Sequence, residues 1–263
     1  MLRTATNTLL RVLLAPVCAA CRTPLQHPID GAVCQPCWIQ IPKLAPPLCD
    51  VCGDPLPSAA APFRLCQRCL SAPPRYEVAR SAGLYAGSLR AIIHAFKYDG
   101  RRTLATALAA LMIETGHDVL SGADAVVPVP MHPWRAMHRG FNQAEDLARQ
   151  LGLPVWRPIR RVRYGPPQAS LSGRDRRTNV TLAFGRRHAF SACWDTGHAR
   201  LLRNRTVVLI DDVMTTGATL EGCSLALLDA GVAQVRVLTV ARVLEPRPSI
   251  RPPEHHPLIV RHQ

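Results

Sequence analysis

Asp211 and Asp212 stand side by side after the apolar run Val207-Val208-Leu209-Ile210, and Thr215-Thr216-Gly217-Ala218-Thr219 follows two residues later. Two adjacent carboxylates can accept from sugar hydroxyls or hold a hydrated magnesium ion, which prefers hard oxygen ligands. The turn that follows offers successive backbone N–H groups, hydroxyls and a flexible Gly217, then opens a helix near Thr219-Leu220-Glu221. A helix N-terminus with unsatisfied N–H groups attracts anions, so this turn reads as a phosphate cradle. Four consecutive branched apolar residues suit a central strand buried on both faces. That strand would deliver the acids at its carboxyl end, where open α/β sheets bind ligands. A buried strand followed by a capped helix would explain the threonines but not the acid pair.

A second chemistry lies in the amino-terminal third. Eight of the ten cysteines form four CxxC pairs there: Cys18/Cys21, Cys34/Cys37, Cys49/Cys52 and Cys66/Cys69. Each CxxC is a chelating turn that points two thiolates at one metal, and a second pair completes a tetrahedral four-thiolate site. The even spacing predicts two structural zinc ribbons in tandem, with sequential rather than interleaved pairing. A disulfide scaffold would need an oxidising compartment, which nothing in the sequence supports. An iron–sulfur cluster suits two four-thiolate sets less well. No open coordination position is implied, so the zincs would be structural. Large apolar residues are sparse and prolines dense between Cys18 and Cys69, so the metal must supply much of the folding energy. Cys223 sits among Leu220, Leu225 and Leu227 as a core thiol, and Cys193 receives no assignment.

Composition sets the frame for both. The chain has 263 residues, 48% of them hydrophobic, and a formal net charge of +14 carried almost wholly by arginine. That balance suits nucleic acid or polyanionic substrates as partners. An arginine-favouring codon bias would produce the same charge. No apolar run approaches the ~20 residues that span a bilayer. Leu9 to Ala15 resembles a short signal core, but Arg11 interrupts it and Ala15-Pro16-Val17-Cys18 is a poor cleavage site. An amphipathic helix packed on the ribbons is the better reading, and the protein reads as cytoplasmic.

After a boundary at Ala72-Pro73-Pro74 the pattern alternates between helix and strand, as a parallel sheet requires. Helices are expected over 89–96, 104–115, 143–151 and 220–229, and strands over 125–130, 207–210 and 234–243. The organisation expected is residues 1–72 for a helix and double zinc ribbon, 73–245 for an α/β domain, and 246–263 for a mobile tail.

The segment from Val207 to Thr219 resembles the phosphoribosyl-pyrophosphate (PRPP) binding motif of type I phosphoribosyltransferases. Together with Val127-Pro128-Val129-Pro130, Arg139-Gly140-Phe141-Asn142-Gln143-Ala144, Phe96-Lys97-Tyr98-Asp99-Gly100 and the stretch from Gln168 to Val180, it resembles the ComF/GntX family. That resemblance covers about residues 18–243 and implies a type I phosphoribosyltransferase-like parallel sheet flanked by helices, preceded by a small tandem zinc-ribbon domain. It implies that Asp211 and Asp212 face ribose hydroxyls and the shell of a magnesium ion. Val213, Met214, Thr215, Thr216, Gly217, Ala218 and Thr219 would complete the PRPP site, its threonines and Gly217 holding the 5-phosphate. Arg135 and Arg139 would serve a pyrophosphate loop, flanked by His132 and His138. Gln168, Arg174, Arg176 and Arg177 would belong to a hood loop closing over the site.

Two functions follow from the resemblance. One is a magnesium-dependent phosphoribosyltransferase whose acceptor no residue pattern selects. The other is a non-catalytic accessory that binds single-stranded DNA during uptake, or a regulator that senses PRPP. Charge and arginine-dense loops favour nucleic acid. Against it, Trp38 and Phe63 are the only aromatic residues between Cys18 and Cys69 on which bases could stack.

Overall fold

A computed structural model describes residues 2–57, 64–131, 137, 140–161, 190–192 and 202–244. Helix α1 (Leu2–Leu14) leads into the cysteine-bearing turns, which hold only the short helices α2 (Gln35–Ile39) and α3 (Gln67–Ser71). Both short helices begin directly after a ligand-type cysteine, Cys34 and Cys66. Prolines and tight turns leave little room there for longer helix.

Three of the four strands of the sheet carry apolar runs that suit burial on both faces. The sheet's fourth strand, Ala79-Arg80-Ser81-Ala82-Gly83-Leu84, alternates buried and half-buried residues, and no strand is expected there from the sequence. Strands β1 (Ala79–Leu84) and β2 (Ala125–Pro128) form its edges; β5 (Thr206–Met214) and β6 (Gln234–Arg242) form its centre. The order is β1-β6-β5-β2 and every pairing is parallel. The two-stranded antiparallel pair β3 (Ile159–Arg161) and β4 (Phe190–Ala192) stands apart. Helices α4 (Gly87–Tyr98), α5 (Leu104–Thr115), α6 (His117–Leu120) and α7 (Gln143–Ala148) precede β5, and α8 (Ala218–Asp229) joins β5 to β6.

Strand alternation divides the core in two. Val208, Ile210, Leu238 and Val240 pack with Leu89, Ile92, Phe96, Leu108 and Leu147 from α4, α5 and α7. Val207, Leu209, Val235 and Val237 pack with Leu220, Cys223 and Leu227 from α8. Successive side chains of a strand point to opposite faces, so one sheet feeds both layers. The cysteine turns divide the same way: Cys18 and Cys37 join the first layer, whereas Cys49, Cys52 and Cys69 join the second.

Several expectations shift. The strand expected over 207–210 runs on to Met214, because Val213 and Met214 still pair with Ala241 and Arg242. The helix expected to reach 151 stops at Ala148, and the strand expected to reach 130 stops at Pro128. Helix α1 forms, and Asn7 accepts a hydrogen bond from the Ile29 N–H at 3.1 Å, yet Leu9, Val12, Leu13 and Leu14 stay exposed. The small turn beneath it, Pro28–Asp30, has no buried residue and offers no apolar seat. Among the described residues no helix is long and apolar enough to cross a membrane. The tail 246–263 lies outside the described residues, as does Cys193.

Candidate functional site: an acid pair, a phosphate turn and two thiol sets

Strand β5 carries its acids near its carboxyl end, on opposite faces. Asp212 turns toward α4, where Lys97 Nζ lies 2.7 Å from its Oδ1. Both side chains are nearly covered, at 14% and 12% exposure, so the pair is a shielded one rather than a solvated surface contact. Asp211 has a different environment. Its carboxylate accepts from the Asp212 N–H at 2.8 Å. Burial and the adjacent Asp212 charge push its carboxyl up to about 7, with Lys97 pulling the other way. One acid is therefore paired with a lysine at 2.7 Å, and the other is raised toward neutrality.

The turn follows at once. Gly217 takes φ +80°, a left-handed conformation that a side chain strains, and a Cβ there would meet Met214 Cε at 3.1 Å. Thr216 Oγ1 accepts from the Ala218 N–H at 3.4 Å, and the Glu221 N–H bonds back to the Gly217 carbonyl at 2.9 Å. Beyond Ala218, the first N–H groups of α8 have no intrahelical acceptor, which leaves them available to an anion. Thr215 and Thr216 are exposed. This is a helix N-terminus opened by a left-handed glycine, preceded in the chain by two carboxylates.

The thiol sets assemble as sequential pairs. Cys18, Cys21, Cys34 and Cys37 bring their sulfurs within 4.8 Å of one another, and so do Cys49, Cys52, Cys66 and Cys69. Cys21 and Cys34 Sγ are 3.7 Å apart, and Cys52 and Cys66 Sγ 3.5 Å. Four sulfurs at about 2.3 Å from a tetrahedral zinc stand roughly 3.8 Å apart, so both sets fit the ion. Backbone N–H groups already point at the sulfurs: Ala20 and Cys34 donate to Cys18 Sγ, and Cys66 donates to Cys49 Sγ. The Thr23 hydroxyl and N–H hold the Cys21 thiol down at about 6.

Residues that the sequence did not single out as functional connect these parts. Arg68, between Cys66 and Cys69, donates from Nη1 to the Thr216 carbonyl at 3.0 Å. Arg242, 2% exposed at the end of β6, donates to the Cys52 carbonyl at 2.7 Å and to the Asp54 carboxylate, and touches Met214 Sδ at 3.1 Å. The Arg75 N–H donates to Glu221 at 2.9 Å. Lys97 is one of only two lysines in the chain and stands in the Phe96-Lys97-Tyr98-Asp99-Gly100 segment that carries the resemblance, though no role followed for it from the sequence.

The segment around Gly140 is an anchor. Asn142 caps α7 by accepting from the Ala144 N–H at 3.2 Å and donates to the Val129 carbonyl at 3.2 Å. Phe141 packs on Phe96 with ring centres 5.8 Å apart, and Arg102 lies over its ring while pairing with Asp146 through two bonds of 2.7 Å. Arg135, Arg139, His132 and His138 lie outside the described residues, as do Gln168, Arg174, Arg176 and Arg177.

Residues 9–70 match the double zinc ribbon domain, and residues 136–261 match the phosphoribosyl transferase domain. The chain is 32% identical to competence protein F of Haemophilus influenzae, over 86% of this chain and 96% of that one. It is 33% identical to DNA utilization protein YhgH of Salmonella typhimurium, over 87% and 97%. Competence protein ComFC of Bacillus subtilis is 28% identical over 81% and 85%. The chain belongs to the ComF/GntX family, pairing a double zinc ribbon with a type I phosphoribosyltransferase-like domain.

Proposed function

We propose that the protein binds PRPP or a related phosphoribosyl compound at the end of β5 and acts on it in the handling of incoming DNA or in nucleotide-linked metabolism. The observation that carries this reading is the left-handed Gly217 opening α8 five residues after the acid pair Asp211-Asp212 of β5. The N–H groups of the turn would receive the 5-phosphate, with the Thr215, Thr216 and Thr219 hydroxyls as further donors. Asp211, ionised above about pH 7, would accept from ribose hydroxyls and hold a hydrated magnesium ion. Bound magnesium would neutralise charge on the pyrophosphate leaving group. The 2.7 Å contact with Lys97 fixes the Asp212 carboxylate in place, so that acid would meet the ligand without rearranging. Arg135 and Arg139 would act on the leaving group, and Gln168, Arg174 and Arg176 would close over it. The names of the relatives place those proteins in competence and DNA utilization, and the +14 charge suits single-stranded DNA as this chain's own partner.

Calorimetric titration of PRPP with magnesium into zinc-loaded protein tests the reading. Saturable binding that disappears in the Asp211→Asn/Asp212→Asn variant is the expected result. Absence of binding by the wild type would reject it, leaving the sheet as a scaffold for nucleic acid.

A further inference from the structure

We propose that Arg68 of the second ribbon is the positioning residue of the phosphate turn, and that the second zinc site sets the turn's affinity for a phosphoribosyl ligand while the first does not. The inference deepens the phosphoribosyl reading above and rests on it for its ligand.

A peptide unit is planar and trans, so its C=O and N–H point in opposite directions. Arg68 Nη1 holds the Thr216 carbonyl at 3.0 Å, which turns the Gly217 N–H of the same peptide away from the ribbon. That N–H belongs to the cradle. The constraint is useful because the flanking residue is glycine at φ +80°, whose backbone would otherwise sample several orientations. The grip on Thr216 is only as firm as Arg68's own seat. Arg68 lies inside the knuckle Cys66-Gln67-Arg68-Cys69, so thiolates on both sides fix its backbone. Its Nη2 is buried, with the Asp54 carboxylate 3.9 Å away.

Asp54 extends the connection. It also accepts from Arg242 Nε, and Arg242 donates to the carbonyl of the ligand-type residue Cys52 while resting on Met214 at the last position of β5. The knuckle presses directly on the sheet as well. A Cβ on Gly53 would stand 2.8 Å from the Ala79 carbonyl, and the Ala79 N–H donates to the Val51 carbonyl at 2.6 Å. Tyr76, 5% exposed, completes the wall, with its hydroxyl 3.9 Å from where a Gly217 Cβ would sit. The first thiol set packs on α4 through Cys18 and Cys37, but none of its hydrogen bonds among the described residues reaches the phosphate turn. Its polar contact toward the site is an open one of 3.6 Å between Arg22 and Asp99, two residues beyond Lys97.

The test compares Arg68→Met, Arg68→Lys and Arg22→Met with the wild type, each full length and assayed for zinc. Hydrogen exchange of the amides in 215–219 is measured without ligand, and PRPP–magnesium affinity by calorimetry. Losing a charged hydrogen bond predicts that Arg68→Met exchanges roughly tenfold faster in this segment and binds about tenfold more weakly. Arg68→Lys, which keeps a donor but not the fork, should fall between. Arg22→Met should match the wild type in both. Unchanged exchange in Arg68→Met with two zinc ions retained overturns the proposal, as does an equal effect of Arg22→Met. If Arg68→Met loses an ion, Arg68→Lys decides by the same criteria. Should the wild type bind no PRPP, the exchange measurement still judges Arg68, and only the ligand assignment fails.

Discussion

The two thiol sets are built from the same motif yet occupy opposite sides of the sheet. The first lies with α4 and α5, and its Cys21 is exposed. The second lies with α8, its Cys49 and Cys52 fully covered, and its knuckles reach the phosphate turn through Arg68, Arg242 and Asp54. A motif repeated for folding can thus acquire unequal roles through what surrounds it. The difference lies in which end of which layer each ribbon meets.

That asymmetry can be broken experimentally. The largest effect is expected from Arg242→Met, which strands the Asp54 carboxylate and the Cys52 carbonyl. Removing one partner of a buried charge pair costs about 3–5 kcal/mol, measurable by urea denaturation, and zinc should leave the second site first. Lys97→Met should cost about 3 kcal/mol on the same grounds, since it leaves Asp212 shielded and unpaired. Gly53→Ala should lose roughly 2 kcal/mol, because the φ of +72° and the Ala79 carbonyl both reject a Cβ. Asn142→Ala removes a helix cap and should lower stability by about 1 kcal/mol. Arg22→Met marks the other extreme. Its exposed partner contact predicts a change below about 1 kcal/mol, with both zinc ions retained.

The acid pair gives a pH test of the same kind. The Asp211 carboxyl is raised to about 7 in the folded chain, above its ordinary value of 3.8. The folded state therefore binds that proton more tightly, and its contribution to stability is present below the ordinary value and lost as pH rises through about 7. Ligand binding runs the other way, since ribose hydroxyls and magnesium need the ionised acid. Calorimetry between pH 6 and 8, in steps of about half a unit, should show affinity rising, and Lys97→Met should displace the profile toward higher pH.

Local signals were legible in the sequence. Cysteine spacing pointed to the correct sequential sets, and the apolar runs marked three of the four strands of the central sheet. Strand β1, Ala79-Arg80-Ser81-Ala82-Gly83-Leu84, has no such run and was not legible as a strand. The ends of elements were less legible, because pairing with β6 carries β5 on to Met214 where the acids suggested a stop. What escaped was contact across long sequence separations. Lys97 meets Asp212, Arg68 meets Thr216 and Arg242 meets Asp54, and no periodicity or spacing encodes such meetings. The Phe141-Asn142 segment marked the family correctly, but its residues here cap a helix and wedge between Phe96 and Arg102. The apolar side of α1 misled, since amphipathicity promises a partner surface without saying that the ribbon below provides one.

The most direct test of the account is a crystal structure of the zinc-loaded protein with PRPP and magnesium. The 5-phosphate is expected on the N–H groups of residues 216–219, with the ribose beside Asp211 and the Arg68–Thr216 contact kept. A phosphate bound elsewhere, or a turn that remains empty at saturating ligand, would contradict it.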